Sequence, residues 1–275
     1  MKILYFDTFS GISGDMALAA LIDAGANPSY IEMELKKLPV NPFNLQYQKV
    51  VKKGVTALKL DVVIDPHTEA IHHRHYIDII QMIEGSELPE RVKEKSKKIF
   101  EKIAIAEGKI HHLPIEKVHF HEVGAVDSIV DIIGVSLALE DLGIDLIYTS
   151  PIPLGSGQIK IEHGIYPIPT PATLEILKGI PIRSSHVPFE MTTPTGAGIV
   201  AALGSGFHGY PSMTVETIGY GAGTKDFEDR PNVLRAVVGT TNELYATEPQ
   251  FTMAHEHEHH HHEHHHDHHN PLTMP

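Results

Sequence analysis

The chain opens with Ile3-Leu4-Tyr5-Phe6, an apolar run of the length a buried strand takes. The turn-rich Ser10-Gly11-Ile12-Ser13-Gly14-Asp15 follows, then an Ala/Leu-rich segment from Met16 to about Ala24, so strand, glycine loop and helix are predicted. Asn27-Pro28 restarts a helix through Leu38. Leu45 to Val51 and Leu58 to Ile64 alternate apolar and polar positions around Gly54, the pattern of a hairpin. From Tyr76 to Gly108 the spacing turns helical, with Pro89 opening a second helix where its missing N–H is tolerated. Val126, Ile129, Val130, Ile133, Leu137 and Leu139 form a helical stripe that Gly143 ends. Eight of the 19 prolines fall between Pro151 and Pro194, which predicts extended and turning backbone broken by one helix at Ala172 to Lys178. Thr193 to Gly198 reads as a glycine-rich turn before a helix at Ile199 to Leu203, Gly219 to Thr224 as another such turn, and Val233 to Val238 as a last strand.

These elements predict a mixed α/β fold in two small packed modules, residues 1–110 and 111–244, followed by a tail, 245–275, with no apolar periodicity and hence expected to be disordered. No repeat of solenoid period occurs.

Composition narrows the chemistry. The chain has no cysteine, which removes disulfides, thiolate catalysis, iron–sulfur clusters and Cys-containing zinc sites, and leaves His, Asp and Glu as the main side-chain metal ligands. Thirty-five acidic against 22 basic residues give a net charge of −13, so a nucleic-acid backbone is not an expected partner. Asp7 and Asp15 interrupt what a signal peptide would keep apolar, and no stretch approaches the ~18 apolar residues of a membrane span, so a soluble, cytoplasmic protein is expected. Half of the 22 histidines lie in one run: His255, His257, His259, His260, His261, His262, His264, His265, His266, His268 and His269, interleaved with three Glu and one Asp. Neutral imidazole is a good ligand for nickel, copper, zinc and cobalt, and a flexible run offers several nitrogens to one ion in many registers. The interleaved acids and the continuation into Asn270-Pro271-Leu272 argue against a purification tag and for a metal-sequestering segment. Its three HExxH matches arise by chance in any His/Glu run.

Three further places carry candidate chemistry. His119 and His121 share one side of an extended segment, with Glu122 next in line and Asp127 and Asp131 one helical turn apart, a nitrogen–oxygen set suited to a metal. Ordinary loop histidines with Asp127 capping a helix would explain the same residues equally well. His67, His72, His73 and His75 around Glu69 are a secondary cluster, equally readable as a solvated connection. Asp7, Ser10, Ser13 and Asp15 crowd the first glycine loop, where backbone N–H groups suit an anion and carboxylates suit a cation. No GxxxxGK[ST] occurs, which excludes a Walker-type site. The glycine turns at 155–157, 193–198 and 219–224, with Lys225, Arg230 and Arg235 nearby, suggest a small phosphorylated ligand.

FDTFSGISGDM, HFHEVGAVDSIVDIIG, HGIYPIPTPATLEIL, MTTPTGAGIV and GYGAGTKDFEDRPNVLR together resemble the nickel-insertion proteins that complete the nickel-pincer nucleotide cofactor of lactate racemase, over Met1 to about Val238. The resemblance implies a lyase-type chelatase that inserts Ni(II) into pyridinium-3,5-bisthiocarboxylic acid mononucleotide in a CTP-dependent reaction. His119, His121 and Glu122 match the family's His-Phe-His-Glu motif and Asp7, Ser10 and Asp15 its first loop; on chemistry, His119 and His121 with Asp127 are the candidate metal ligands beside the tail histidines, and Asp7, Asp15 and Glu122 the candidates for catalysis. Thr195, Gly196, Gly198, Gly221 and Gly223 become candidates for holding the substrate phosphate. Members of this family continue past the His-rich linker into a domain to which the nucleotide triphosphate and its Mn(II) or Mg(II) belong. The resemblance therefore makes this chain an N-terminal part that departs from the full-length pattern at Asn270 and works with a C-terminal domain or fuller-length form of the same protein. The lactate racemase apoprotein is a further candidate partner.

Two other readings compete. In one, the tail stores or carries nickel and the body only docks a partner. In the other, His119, His121 and Asp127 serve a metal-dependent hydrolase, which the lack of a nucleophile motif disfavours.

Overall fold

The computed structural model describes residues 1–64, 74–120, 123, 125–161 and 164–242. In chain order these form β1 (Lys2–Asp7), α1 (Gly14–Asp23), α2 (Pro28–Leu35), β2 (Phe43–Lys52), β3 (Val55–Ile64), β4 (Arg74–His75), α3 (Tyr76–Glu84) and α4 (Glu90–His111). A short 3₁₀ turn (Ile115–Lys117) leads to β5 (His119–Phe120), α5 (Val126–Asp141), β6 (Leu146–Thr149), β7 (Ile152–Pro153), β8 (Gln158–Ile161), β9 (Gly164–Pro167) and α6 (Pro171–Ile176). β10 (Ile182–Arg183), α7 (Pro194–Leu203), β11 (Gly206–Phe207), β12 (Thr214–Ala222) and β13 (Val233–Thr240) complete the order.

The mixed α/β class is observed. A seven-stranded mixed sheet runs β11-β6-β1-β13-β12-β3-β2, with β1 parallel to β6 and antiparallel to β13. Strands from both sides of residue 110 share this sheet, and that position falls at the end of α4. The predicted hairpin is β2 and β3, in register from Phe43↔Ile64 to Lys52↔Val55. Lys53 and Gly54 both take positive φ, 47° and 85°, as a tight two-residue hairpin turn requires. The tail expected from 245 onward lies outside the described residues.

α1 is the central helix. Leu18 and Leu21 are fully buried in the main core beside Leu4 and Phe6 of β1, and removing each leucine from water contributes about 1.5–3 kcal/mol. α5 buries its stripe between α1, α2 and α4, which explains its long uncharged stretch. Asn27 caps α2 by accepting hydrogen bonds from the N–H groups of Ser29 (3.0 Å) and Tyr30 (3.3 Å).

Two predicted turns belong to regular elements. Thr193 to Gly198 is not a turn ahead of α7 but its first turn: Pro194 occupies the opening position, and Thr193 Oγ1 accepts from the N–H of Gly196 at 3.2 Å. Gly219 and Gly221 lie within β12, where their missing side chains admit α1. A Cβ on Gly221 would stand 2.0 Å from the Met16 carbonyl oxygen, and one on Gly219 2.1 Å from that of Ala20. Packing therefore replaces the turn signal that glycine usually carries.

Candidate functional site

At the end of β1 the first glycine loop is clasped from two directions. Ile12 N–H donates to the Met191 carbonyl (3.0 Å) and Thr193 N–H to the Ile12 carbonyl (3.2 Å), which ties the loop to the start of α7. Ser10 Oγ donates to the Pro231 carbonyl at 2.7 Å, which ties it to the loop before β13. Gly11, at φ 99°, passes so close to Met191 that a Cβ would fall 1.9 Å from its carbonyl oxygen. Gly14 abuts Asp131 of α5 and Thr195 of α7, both within 2.8 Å of where its Cβ would be. Glu190 bridges to Gly155 and accepts from Thr170 Oγ1 at 3.4 Å, which brings in the Pro-rich segment. Four of the five sequence motifs thus converge here, joined by the α5 portion of the fifth.

The ionisable groups at this junction form one network. Asp15 accepts from Ser13 Oγ and from Lys59 Nζ (3.1 Å), and its side chain is 28% exposed. Lys59 Nζ also reaches Asp61 at 2.7 Å. Burial opposes the Lys59 charge, but Asp15 and Asp61 outweigh it and hold its pKa above the ordinary lysine value. Asp131 lies beneath Gly14 and accepts from the Asp15 backbone N–H. Burial, then the charges of Asp15 and Asp127, push its pKa well above the usual carboxylate range, and Lys59 only partly offsets this. Its Oδ1 is buried with no hydrogen-bond partner among the described residues.

Asp7 occupies a different corner. It pairs with Arg235 and accepts from Tyr210 Oη at 3.2 Å, while burial and then the Asp7 charge push the Tyr210 phenol up to about 12. Asp7 is thus paired with Arg235 and Tyr210, as Asp15 is with Ser13 and Lys59.

Each predicted phosphate glycine has a packing task. Gly196 meets the Ile12 carbonyl oxygen, Gly198 meets Ile103 of α4, Gly221 meets Met16, and Gly223 meets the Asn232 amide. Thr195 is buried at 8% exposure beside Gly14. Next to the junction a cavity of about 350 Å³ is bordered by His186, Phe189, Phe227 and Arg230 and by the carboxylates Asp226, Glu228 and Asp229, the last paired with Arg230. The two phenyl rings lie parallel within 9° at 6.0 Å, and Lys225 Nζ stands 4.7 Å over Phe189.

Of the predicted metal ligands, His119 is half-buried on β5 and Asp127 is exposed in the first turn of α5, its Oδ1 accepting from the Ser128 N–H at 2.8 Å. His121, Glu122, His67, His72, His73 and the tail histidines lie outside the described residues. Among those described, no group of three His, Asp or Glu side chains is arranged around one metal position. Sequence reasoning missed Lys59, whose signal is a lysine between Leu58 and Leu60 in a largely buried stretch of strand. It also read Asp131 only as a companion of Asp127, and His75 only as one of a loop cluster.

With the fold and this junction described, sequence comparison supplies the family. The profile of the nickel insertion protein family matches residues 4–272, and this chain belongs to that family. It is 55% identical over 263 residues, covering 93% of this chain and 64% of the relative, to the pyridinium-3,5-bisthiocarboxylic acid mononucleotide nickel insertion protein of Geobacillus kaustophilus. A protein of the same description from Staphylococcus epidermidis is 59% identical over 236 residues, or 86% of this chain and 59% of that one. The chain thus spans about three fifths of the length of these relatives. No solved structure matches it. Among the described residues no helix is long and apolar enough to cross a membrane.

Proposed function

We propose that this chain supplies the substrate-binding and metal-handling part of a nickel insertase of the lyase type, acting on pyridinium-3,5-bisthiocarboxylic acid mononucleotide. The observation that carries the reading is the convergence of separated family motifs on one junction, with a carboxylate–lysine network beside a cavity that holds two aromatic rings.

The reaction replaces an aryl C–H bond by a nickel–carbon bond and adds two nickel–sulfur bonds, so one proton must leave to a base while nickel, the cargo, keeps open coordination positions. Asp15 is the proposed base, held in place by Ser13 and Lys59, and Glu122 is the alternative. The pyridinium ring is assigned to the face of Phe189 or Phe227, where an electron-poor ring is attracted. Its phosphate is assigned to Lys225 and to Arg230, which would exchange part of its pairing with Asp229, with the N–H groups at Thr195, Gly196, Gly198, Gly221 and Gly223 as the other candidates. His119 and His121 are the proposed nickel ligands of the body, with Asp127 near them, and the tail histidines concentrate the ion. CTP with Mn(II) or Mg(II) is assigned to the length of the relatives that this chain does not span, as are the partner contacts and transfer to the lactate racemase apoprotein.

The test supplies the full chain with the dithiocarboxylated mononucleotide, Ni(II), CTP and Mn(II) or Mg(II), together with the remaining part of a relative. Nickel-bearing product should form, and the His119→Ala/His121→Ala double variant should lose it. Normal insertion by the double variant removes these ligands from the account.

A further inference from the structure

β4 and β5 form a two-stranded antiparallel ladder that pairs Arg74 with Phe120 and His75 with His119. The N–H of Tyr76 donates to the Val118 carbonyl at 3.0 Å, one step along the same register. In an antiparallel ladder hydrogen-bonded and non-bonded pairs alternate, so His75 and His119 occupy the non-bonded position, where side chains come closest. Their rings are 4.7 Å apart, centre to centre, with planes at 81°.

We infer that His75 and His119 form a two-imidazole docking site for a divalent transition-metal ion, entered from solvent on the His75 side. This deepens the nickel-insertion reading and rests on it for the identity of the metal.

The spacing is the first argument. A nitrogen about 2.1 Å from a divalent metal puts its ring centre about 3.3 Å away, and two such rings at a right angle about the metal lie about 4.7 Å apart. Right-angle neighbours belong to square-planar and octahedral coordination, the geometries of Ni(II), whereas tetrahedral ligands would spread wider. The second argument is support. His75 is held at the start of α3, where its N–H donates to Asp78 Oδ2 at 3.3 Å, and the next residue, Tyr76, packs edge-on to Phe120 at 6.3 Å. Both histidines are therefore carried on backbone fixed by a helix start and a ladder. His75 is exposed and His119 half-buried, so an ion can arrive from water. Two protein ligands hold an ion weakly and leave its other positions to water or to the sulfur atoms of an incoming substrate, which suits delivery rather than storage.

The test uses the full chain with Ni(II) chloride as the probe and no organic substrate. Carbethoxylation by diethyl pyrocarbonate is followed histidine by histidine through peptide mass spectrometry, which separates this pair from the tail. Nickel should slow labelling of His75 and His119 severalfold with one shared midpoint, and leave exposed His112 unchanged once the same tail occupancy is reached. In the His119→Ala variant, protection of His75 should disappear, and in His75→Ala that of His119. Labelling of His75 at its metal-free rate under saturating nickel overturns the inference, as does protection of His75 that survives loss of His119. Because no insertion is read, a chain that protects the pair yet fails to make product counts against the insertase reading alone. Insertion by a chain whose His75 is never protected counts against this site alone.

Discussion

Asp131 shows how much a single residue's surroundings decide. It lies under Gly14 with one oxygen on the Asp15 N–H and the other without a partner among the described residues, so the protonated form is favoured in the fold. A carboxyl whose pKa is raised on folding stabilises the protein fully below its unfolded value of about 4, and that contribution is lost as pH rises toward the raised value. The Asp131→Asn variant removes the titration while keeping the shape. Its urea midpoint relative to wild type should therefore improve on going from pH 4.5 to pH 7.5, and a relative loss over that interval would contradict the assignment. At this scale the sequence was only partly legible. Asp15 is legible as one of two carboxylates in a crowded loop, but its lysine partner comes from β3, 44 residues away, and local spacing carries no information about such a contact. Asp7 is equivalent to Asp15 in the motif, and its pairing with Arg235 across 228 residues distinguishes its surroundings.

At the scale of elements the apolar patterns were read well and the glycines less so. β1, α1, the β2–β3 hairpin, α3, α4 and α5 follow from runs and stripes that need no distant partner to be visible. β12 and the first turn of α7 were hidden because glycine has two uses, turning the chain and admitting a neighbour, and only the neighbour distinguishes them. The Gly221→Ala substitution tests this. Its methyl would meet the Met16 carbonyl at 2.0 Å and the Ala20 nitrogen at 2.8 Å, both backbone atoms of a buried helix that cannot rotate away. Overpacking of this kind costs about 3 kcal/mol, which lowers the melting temperature of a body this size by about 6–12 °C. A melting temperature unchanged within error would show that α1 and β12 have room to separate, contrary to the packing described.

For the whole molecule, the five motifs lie far apart in sequence, and the sheet and the clasped loop bring four of them together with the α5 portion of the fifth. Part of the proposed ligand set, the His-rich run above all, is carried by segments beyond the described residues, while the carboxylate–lysine network, the cavity and the His75–His119 pair belong to the body. The central claim is that the body performs the nickel chemistry and the tail raises the local concentration of the ion. Every described element ends by Asn242, so removing residues 243–275 takes away none of them. The most direct measurement is the rate of nickel insertion into the mononucleotide by the shortened chain, followed across a range of Ni(II) with CTP, its divalent metal and the remaining part of a relative supplied. The account predicts a rate that falls at scarce nickel and returns to that of the full chain at saturating nickel. Insertion that stays abolished at every nickel concentration, with the shortened chain still folded, would contradict it and place the function in the tail.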